Sequence, residues 1–313
     1  MISIIIPLYN KEAQIAYTLQ SVLNQSYQNF EIIIVNDGST DNSVAEIERI
    51  QDKRIRLIHQ ANAGVSVARN KGIEEAQYDL IAFLDADDEW EPTYLKVQYN
   101  LYQKYPECSV FACNYKFKNA NGITSPTIIR KLPFHDKDGI LNNYFEVANQ
   151  SHPPLWTSAI MVKKEAIQTV GGFPNGISSG EDLLTWTRLA LNYSIAYTKE
   201  SLAVYKLDDS YILSNRPSRH QDENDPVGAN LKTCYKQITN LKQKKDFKKY
   251  LALWHKMRAS TSLRYNEKIT TIKECIHSLS YNPYNTKVYI FIILSILPSF
   301  LKKILVNKYM QYR

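Results

Sequence analysis

Four apolar residues, Ile81-Ala82-Phe83-Leu84, run without alternation straight into Asp85-Ala86-Asp87-Asp88-Glu89-Trp90. An apolar run this short and unbroken reads as a strand buried on both faces, the environment of a parallel sheet. It ends where the acids begin. Asp85, Asp87 and Asp88 therefore fall at the carboxyl edge of the sheet, where open α/β sheets bind their ligands. Carboxylates packed this closely raise one another's pKa unless a cation neutralises them. Hard oxygen donors suit Mg²⁺ or Mn²⁺, ions that also hold phosphates. Taken alone, a D-x-D reads more simply as a solvated acidic turn, so its surroundings decide.

Upstream, strands and helices alternate. Ile2–Pro7 predicts a first buried strand, closed by Pro7 because proline cannot donate to a ladder. A helix follows over about residues 12–25, then a strand over 30–35. Asn36-Asp37-Gly38-Ser39-Thr40-Asp41 is a turn-rich loop with Thr40 or Asp41 as N-cap of a helix over 44–50. A strand over 55–58, a helix over 64–76 and the strand at 80–84 complete the pattern. Alternation at this spacing predicts a Rossmann-like, mostly parallel sheet with helices on both faces. Three loops then converge on one edge: Leu8–Glu12, Asn36–Asp41 and Asp85–Asp88. Neither G-x-G-x-x-G nor G-x-x-x-x-G-K-S/T occurs, so dinucleotide and Walker-type readings lack their main support.

The combination resembles the family 2 inverting glycosyltransferases with the A-type glycosyltransferase fold. The matching segments are Ser3-Ile4-Ile5-Ile6-Pro7-Leu8-Tyr9-Asn10-Lys11-Glu12, Val35-Asn36-Asp37-Gly38-Ser39-Thr40-Asp41, Asn62-Ala63-Gly64-Val65-Ser66-Val67-Ala68-Arg69-Asn70, Asp85-Ala86-Asp87-Asp88 and Gly180-Glu181-Asp182. The likeness covers roughly residues 1–215 and is weak beyond. It implies a UDP-sugar donor, with Tyr9 stacking the base, Asp37 accepting from a base N–H, and Pro7 and Glu12 shaping the pocket. Physical chemistry allows these roles, and packing at a strand end competes for Tyr9. Arg69 either reaches the diphosphate or braces the acidic loop through Asp85. The family pattern makes Asp87 the direct ligand of Mn²⁺ or Mg²⁺ with Asp88 as helper, while Asp85 contacts sugar, ribose or metal-bound water. His220 is a candidate third ligand. Where the family often has an Arg-x-His-type segment, Lys206-Leu207-Asp208-Asp209 stands here, which weakens any histidine ligand at that point.

Acids in the first turn of a helix ordinarily complement its dipole. The resemblance gives Glu181-Asp182 more: Asp182 is the expected general base and Glu181 orients the acceptor. Trp156 and Trp186 are candidate acceptor-stacking residues, with core packing the rival for Trp186, four residues after Asp182. The expected organisation is a catalytic domain over 1–225, split into a nucleotide-sugar half (1–118) and an acceptor half (119–225), with a basic helical region over 226–313. The expected acceptor is a lipid-linked surface-polysaccharide intermediate of O-antigen or capsule type. A nucleotidyltransferase would need a basic, glycine-rich first loop, which Leu8–Glu12 is not; a non-catalytic sugar-nucleotide-binding scaffold is the other alternative.

Charge separates the two regions. Residues 1–230 carry 21 Lys+Arg against 28 Asp+Glu, and residues 231–313 carry 17 against 3. A basic C-terminal region on an acidic domain points to an anionic surface, read here as a membrane rather than nucleic acid. Basic helices are expected over 227–280, broken near Lys244-Lys245-Asp246. The uncharged run Val288–Leu301 is 14 residues, short of the roughly 20 that span a bilayer. It reads either as an interfacial helix or as one docked on the protein. Met1 leads directly into an apolar strand with no secretory signal. Cys108, Cys113, Cys234 and Cys275 show no zinc spacing and fit reduced thiols. The expected location is cytoplasmic, peripheral on the inner face of the membrane.

Overall fold

The chain divides into two compact units, Met1–Asp208 and Asp209–Arg313. A computed structural model describes residues 1–207 of the first and 224–298 of the second. Among the described residues the first unit holds one mixed sheet of ten strands. Its N-terminal part alternates strictly: β1 (Ile2–Leu8), α1 (Ile15–Leu23), β2 (Phe30–Asp37), α2 (Ser43–Glu48), β3 (Ile55–Gln60), α3 (Val65–Glu75), β4 (Leu80–Phe83). β2 and β4 flank β1 in parallel, and β3 adds beside β2. The continuous apolar runs follow from this burial: every residue of β1, β2 and β4 is buried, whereas β3, at the sheet's end, is only half-buried.

β1 runs one residue beyond Pro7, which pairs with Val35. The expectation that proline ends the strand fails for a local reason. Leu84 N–H donates to Ile5 O at 3.0 Å, so Ile5 and, by the two-residue period, Pro7 face β4 with their backbone groups. The β1–β4 register stops at Phe83, so no ladder bond awaits the missing N–H.

Beyond β4 the sheet changes character. β5 (Glu89–Trp90), α4 (Tyr94–Lys104), β6 (Val110–Lys118), β7 (Thr124–Pro126), β8 (Asp138–Ile140) and α5 (Tyr144–Gln150) follow. A 3₁₀ turn at Thr157–Ala159 then leads into β9 (Ile160–Lys163), α6 (Lys164–Thr169), α7 (Glu181–Asn192) and β10 (Ile195–Lys206). The path is β3-β2-β1-β4-β9-β6-β10-β5, with β7 on β6 and β8 on β10. β9 enters antiparallel to both β4 and β6. The sheet is thus parallel where nucleotide-binding loops were expected and mixed elsewhere. The reversed strand brings the 3₁₀ turn that precedes it to the carboxyl edge of β4.

The second unit is helical: α8 (Pro226–Gln237), α9 (Leu241–Arg264), α10 (Lys268–Tyr281) and α11 (Thr286–Ile296). The break expected near Lys244 lies instead at Asn240, whose side chain caps α9 by accepting from Gln243 N–H. Val288, Phe291 and Leu294 of α11 pack with Ala259, Leu263 and Cys275. The opposite side leaves Tyr289, Ile290, Ile293 and Ile296 exposed. Among the described residues no helix is long and apolar enough to cross a membrane. His220 and the basic stretch Ser214–Arg219 lie outside the described residues.

Candidate active site

Two loops are laced together at the carboxyl edge. Asn10 N–H donates to Ser39 Oγ (3.1 Å) and Thr40 N–H to Asn10 Oδ1 (2.8 Å). Glu12 N–H donates to Asp41 Oδ2 (3.0 Å), and Glu12 Oε2 accepts from Asn42 N–H (2.8 Å). Glu12 therefore ties the two loops together. Asn10 takes φ 49°, which an asparagine tolerates, and Tyr9 beside it is 48% exposed. About half of Tyr9 is thus left uncovered at the carboxyl edge. Asp37 is buried and already engaged: Oδ1 accepts from Gln60 Nε2 (2.7 Å) and Ala63 N–H (2.9 Å), and Oδ2 from Gly64 N–H (2.9 Å). A carboxylate offers about four acceptor positions, so one on Oδ2 remains for a ligand.

The acidic turn is held from two sides. Thr18, on the buried face of α1, donates its single hydroxyl proton between the carbonyls of Ala86 (3.0 Å) and Asp88 (2.8 Å). Ser158, in the 3₁₀ turn before β9, donates to Asp88 Oδ2 (2.6 Å) and accepts from Asp85 N–H (3.1 Å). Its carbonyl accepts from Trp90 Nε1 at 2.6 Å. Asp88 is 1% exposed. Burial, then the charges of Asp87 and Asp85, push its carboxyl well above the usual range. Asp88 is thus an internal brace, and any help it gives Asp87 passes through the turn it supports.

Asp85 and Asp87 do face outward, with side chains 27% and 36% exposed. Lys11 Nζ lies 2.6 Å from Asp87 Oδ2. Two outward carboxylates, one of them already drawing a cation, offer oxygen donors that fit Mg²⁺ or Mn²⁺.

Arg69 does not reach outward. It is buried on α3 and donates to Asp85 Oδ1 (2.8 Å) and Glu181 Oε1 (3.1 Å), with its guanidinium 4.9 Å from the centroid of the Phe173 ring. Burial pushes its pKa down, and Asp85 and Glu181 more than offset that, leaving it raised. Its expected place among diphosphate ligands is corrected: it is the brace joining the acidic turn to α7. α7 opens at Gly180, φ 90°. The preceding turn is pinned by Asn70, which donates to Phe173 O (2.7 Å) and accepts from Phe173 N–H (2.8 Å). Gly172 there has φ 62°, and a Cβ would sit 2.5 Å from Asn70 Oδ1.

Glu181 and Asp182 sit in the first turn of α7. Burial, then Asp182, raise the Glu181 carboxyl despite Arg69. Tyr115 is buried, and burial and then the Asp182 charge raise its phenol. Asp182 accordingly lies within electrostatic reach of Arg69 and of Tyr115 on β6.

The two tryptophans separate. Trp186 is 1% exposed and packs edge-on against Phe173 (5.5 Å between centroids) and tilted on Phe83 (6.3 Å). It is core, which corrects its expected acceptor role. Trp156 is half-buried beside Tyr115 (4.7 Å) and Tyr205 (5.1 Å), with Phe117 adjoining Tyr205 at 5.7 Å. Sequence reasoning did not find Ser158 or Thr18, since neither carries a motif. Lys11 was legible only as part of the first loop.

TarS of S. aureus, residues 1–349 in complex with UDP-GlcNAc, superposes with TM-score 0.56 at 16% identity over 91% of this chain and 92% of that one. The mannosyltransferase PcManGT of Pyrobaculum calidifontis, in complex with GDP-Man and Mn²⁺, gives 0.56 at 16% over 98% and 84%. These likenesses show the fold, the A-type glycosyltransferase fold. In sequence, the uncharacterized glycosyltransferase YibD of Escherichia coli (strain K12) is 53% identical over 95 residues, 29% of this chain and only 27% of YibD. TuaG of Bacillus subtilis (strain 168), named as a teichuronic acid biosynthesis glycosyltransferase, is 32% identical over 221 residues, 69% of this chain and 82% of TuaG. With residues 3–169 also matching the model of Glycosyl transferase family 2, more than half its length, the chain belongs to that family.

Proposed function

We propose that the chain is a metal-dependent, inverting glycosyltransferase. It moves a hexose or N-acetylhexosamine from a UDP-sugar to an acceptor hydroxyl on a lipid-linked surface polysaccharide. The observation that carries this is the Arg69 bridge: one buried guanidinium ties Asp85 of the acidic turn to Glu181 at the start of α7. Cation-type and base-type carboxylates thereby share one crevice.

Tyr9 and the open acceptor position of Asp37 receive the base of the nucleotide. Asp87, with Asp85, would hold Mn²⁺ or Mg²⁺, whose chemistry when bound is neutralisation of the departing diphosphate. Asp182 takes the proton of the acceptor hydroxyl, and the oxygen attacks the anomeric carbon opposite the leaving group. General-base assistance is typically worth about 10²–10⁴-fold, so positioning supplies much of the remainder. Trp156 offers an aromatic face to the acceptor sugar. UDP-GlcNAc in TarS supports a UDP-sugar, and the name of TuaG supports a surface-polymer acceptor.

The C-terminal unit fits a peripheral membrane role. Its exposed Ile290, Ile293 and Ile296 sit in a region of strong positive charge. The domain reading follows the same lines: a catalytic region over 1–225 and a basic helical region over 226–313.

A thermal-shift screen of nucleotide-sugars with and without Mn²⁺ tests the reading, because a ligand bound only by the folded state raises Tm. One UDP-sugar should stabilise the wild type in an Mn²⁺-dependent way, and Asp87→Ala should abolish that dependence. Failure of every nucleotide-sugar to shift Tm would overturn the reading.

A further inference from the structure

The second unit holds a polar cluster that sugar transfer does not use. α9 and α10 form a helical hairpin joined by several polar crossings. Thr271 Oγ1 donates to Ser262 Oγ (3.1 Å), Ser278 Oγ donates to Ala252 O (2.7 Å), and His255 Nδ1 lies 2.7 Å from Glu274 Oε2 between them. His255 is 1% exposed and Glu274 4%. A hairpin of this kind is ordinarily closed with apolar side chains, since buried charge costs free energy unless it is fully engaged.

The engagement here is incomplete in one place. Glu274 Oε1 accepts from Arg258 Nε at 2.8 Å, which leaves Oε2 turned to the histidine. The other ring nitrogen, Nε2, is buried with no hydrogen-bond partner, so an ion shared with Glu274 would take Nδ1 and Oε2, displacing the proton between them. His277 follows Glu274 by three residues, so both project from one face of α10. Its ring centroid is 5.0 Å from that of His255, with the rings at 81°. One ligand atom from each of His255, Glu274 and His277 falls within 4.8 Å of the others.

We propose that His255, Glu274 and His277 form a binding site for a divalent transition-metal ion of the zinc type, pinning α9 to α10. Two imidazoles and one carboxylate suit Zn²⁺, Co²⁺ or Ni²⁺, whereas the all-oxygen Asp85/Asp87 pair suits Mg²⁺ or Mn²⁺. Closure needs the ligand atoms to draw in, since donors about 2.0–2.1 Å from one ion lie little more than 3 Å apart. His277 is only half-buried and can make that movement. Arg258 holds the second oxygen of Glu274 and so fixes the carboxylate's orientation, the usual task of a group behind a metal ligand.

The test uses the full chain stripped with EDTA and titrated with Zn²⁺ against a chromophoric chelator. One Zn²⁺ should bind per chain, should persist in Asp87→Ala, and should bind at least tenfold more weakly in His277→Gln. Tm should rise with Zn²⁺ in the wild type and not in His277→Gln. Co²⁺ should give a visible ligand-field spectrum without a thiolate charge-transfer band, which keeps Cys234 and Cys275 out of the site. Unchanged Zn²⁺ affinity in His277→Gln, loss of binding in Asp87→Ala, or a thiolate band would each overturn the proposal. Should His277→Gln not fold, wild-type protein suffices: Co²⁺ must perturb the ring resonances of His255 and His277 ahead of the other histidines. Absence of that perturbation overturns the proposal equally.

Discussion

The ammonium of Lys11 lies 2.6 Å from Asp87 Oδ2, where a divalent ion would have to approach. Lys11 therefore competes with that ion. A unit positive charge a few Å from a divalent ion is worth roughly 1–2 kcal/mol even at water-like dielectric. Lys11→Gln should bind Mn²⁺ about tenfold more tightly, as measured by electron paramagnetic resonance on the free protein. Equal or weaker Mn²⁺ binding would show that Lys11 does not compete at Asp87.

Asp182→Asn keeps the side chain's shape but takes no proton. It should lower kcat and kcat/KM together by about 10²–10⁴-fold while sparing UDP affinity, as expected for an interaction made in the transition state. Glu181→Gln should act mainly on acceptor KM. The two carboxylates are adjacent, and the charge of Asp182 raises the Glu181 carboxyl after burial does. Full activity in Asp182→Asn with loss in Glu181→Gln would move the base to Glu181.

Arg69→Met should destabilise the first unit by about 3 kcal/mol, the lower end of the cost of breaking a buried ion pair, because Asp85 keeps 27% of its side chain in water. Arg69→Lys should recover only part of this, since one ammonium does not reproduce a planar fork. Urea unfolding measures both. A wild-type midpoint in Arg69→Met would refute the bracing role.

Asp88 sets a pH dependence. Its carboxyl is raised in the folded state by burial and by Asp87 and Asp85, so the folded protein binds that proton more tightly than the unfolded chain. Stability from this group is present at low pH. It is lost as pH rises from the unfolded value, about 3.9, through the raised folded value. Asp88→Asn should remove this fall, with Tm equal to or above wild type at pH 8 and the difference shrinking on acidification. A Tm gap that widens on acidification would contradict the assignment.

Ile293→Glu changes a residue 56% exposed on α11 and should leave the fold intact. Burying an isoleucine in lipid is worth about 2 kcal/mol, so co-sedimentation with anionic vesicles should fall at least tenfold. Undiminished co-sedimentation would remove this face from any membrane contact.

The parallel strands were legible because burial on both faces erases alternation, and Ile4-Ile5-Ile6 or Ile32-Ile33-Ile34 can satisfy nothing else. The loop acids were legible because their place follows from where those runs stop. Arg69 was legible as a charge but not as a direction: Glu181 lies 112 residues away, and its approach depends on how β9, α6 and the glycine turn fold back. Trp186 was ambiguous for a similar reason. Helical spacing put it roughly on the face of Asp182, and only Phe83 and Phe173 show that this part of the helix turns inward. Ser158 had no signal at all, being one hydroxyl whose importance comes from the reversal of the strand after it.

That reversal limits how the protein can be recombined. β9 returns through the middle of the sheet, so a residue numbered 158 completes a turn numbered 85–88. Residues 1–118 and the strands that follow them are therefore not exchangeable cassettes. A chimera joined after residue 118 would import a foreign residue beneath Asp85 and Asp88 while keeping every motif of its first half. Transplanting 157–163 together with 1–118 keeps the turn's support within one parent. Evolution faces the same constraint, since a change before β9 that shifts Ser158 also shifts the support of the acids.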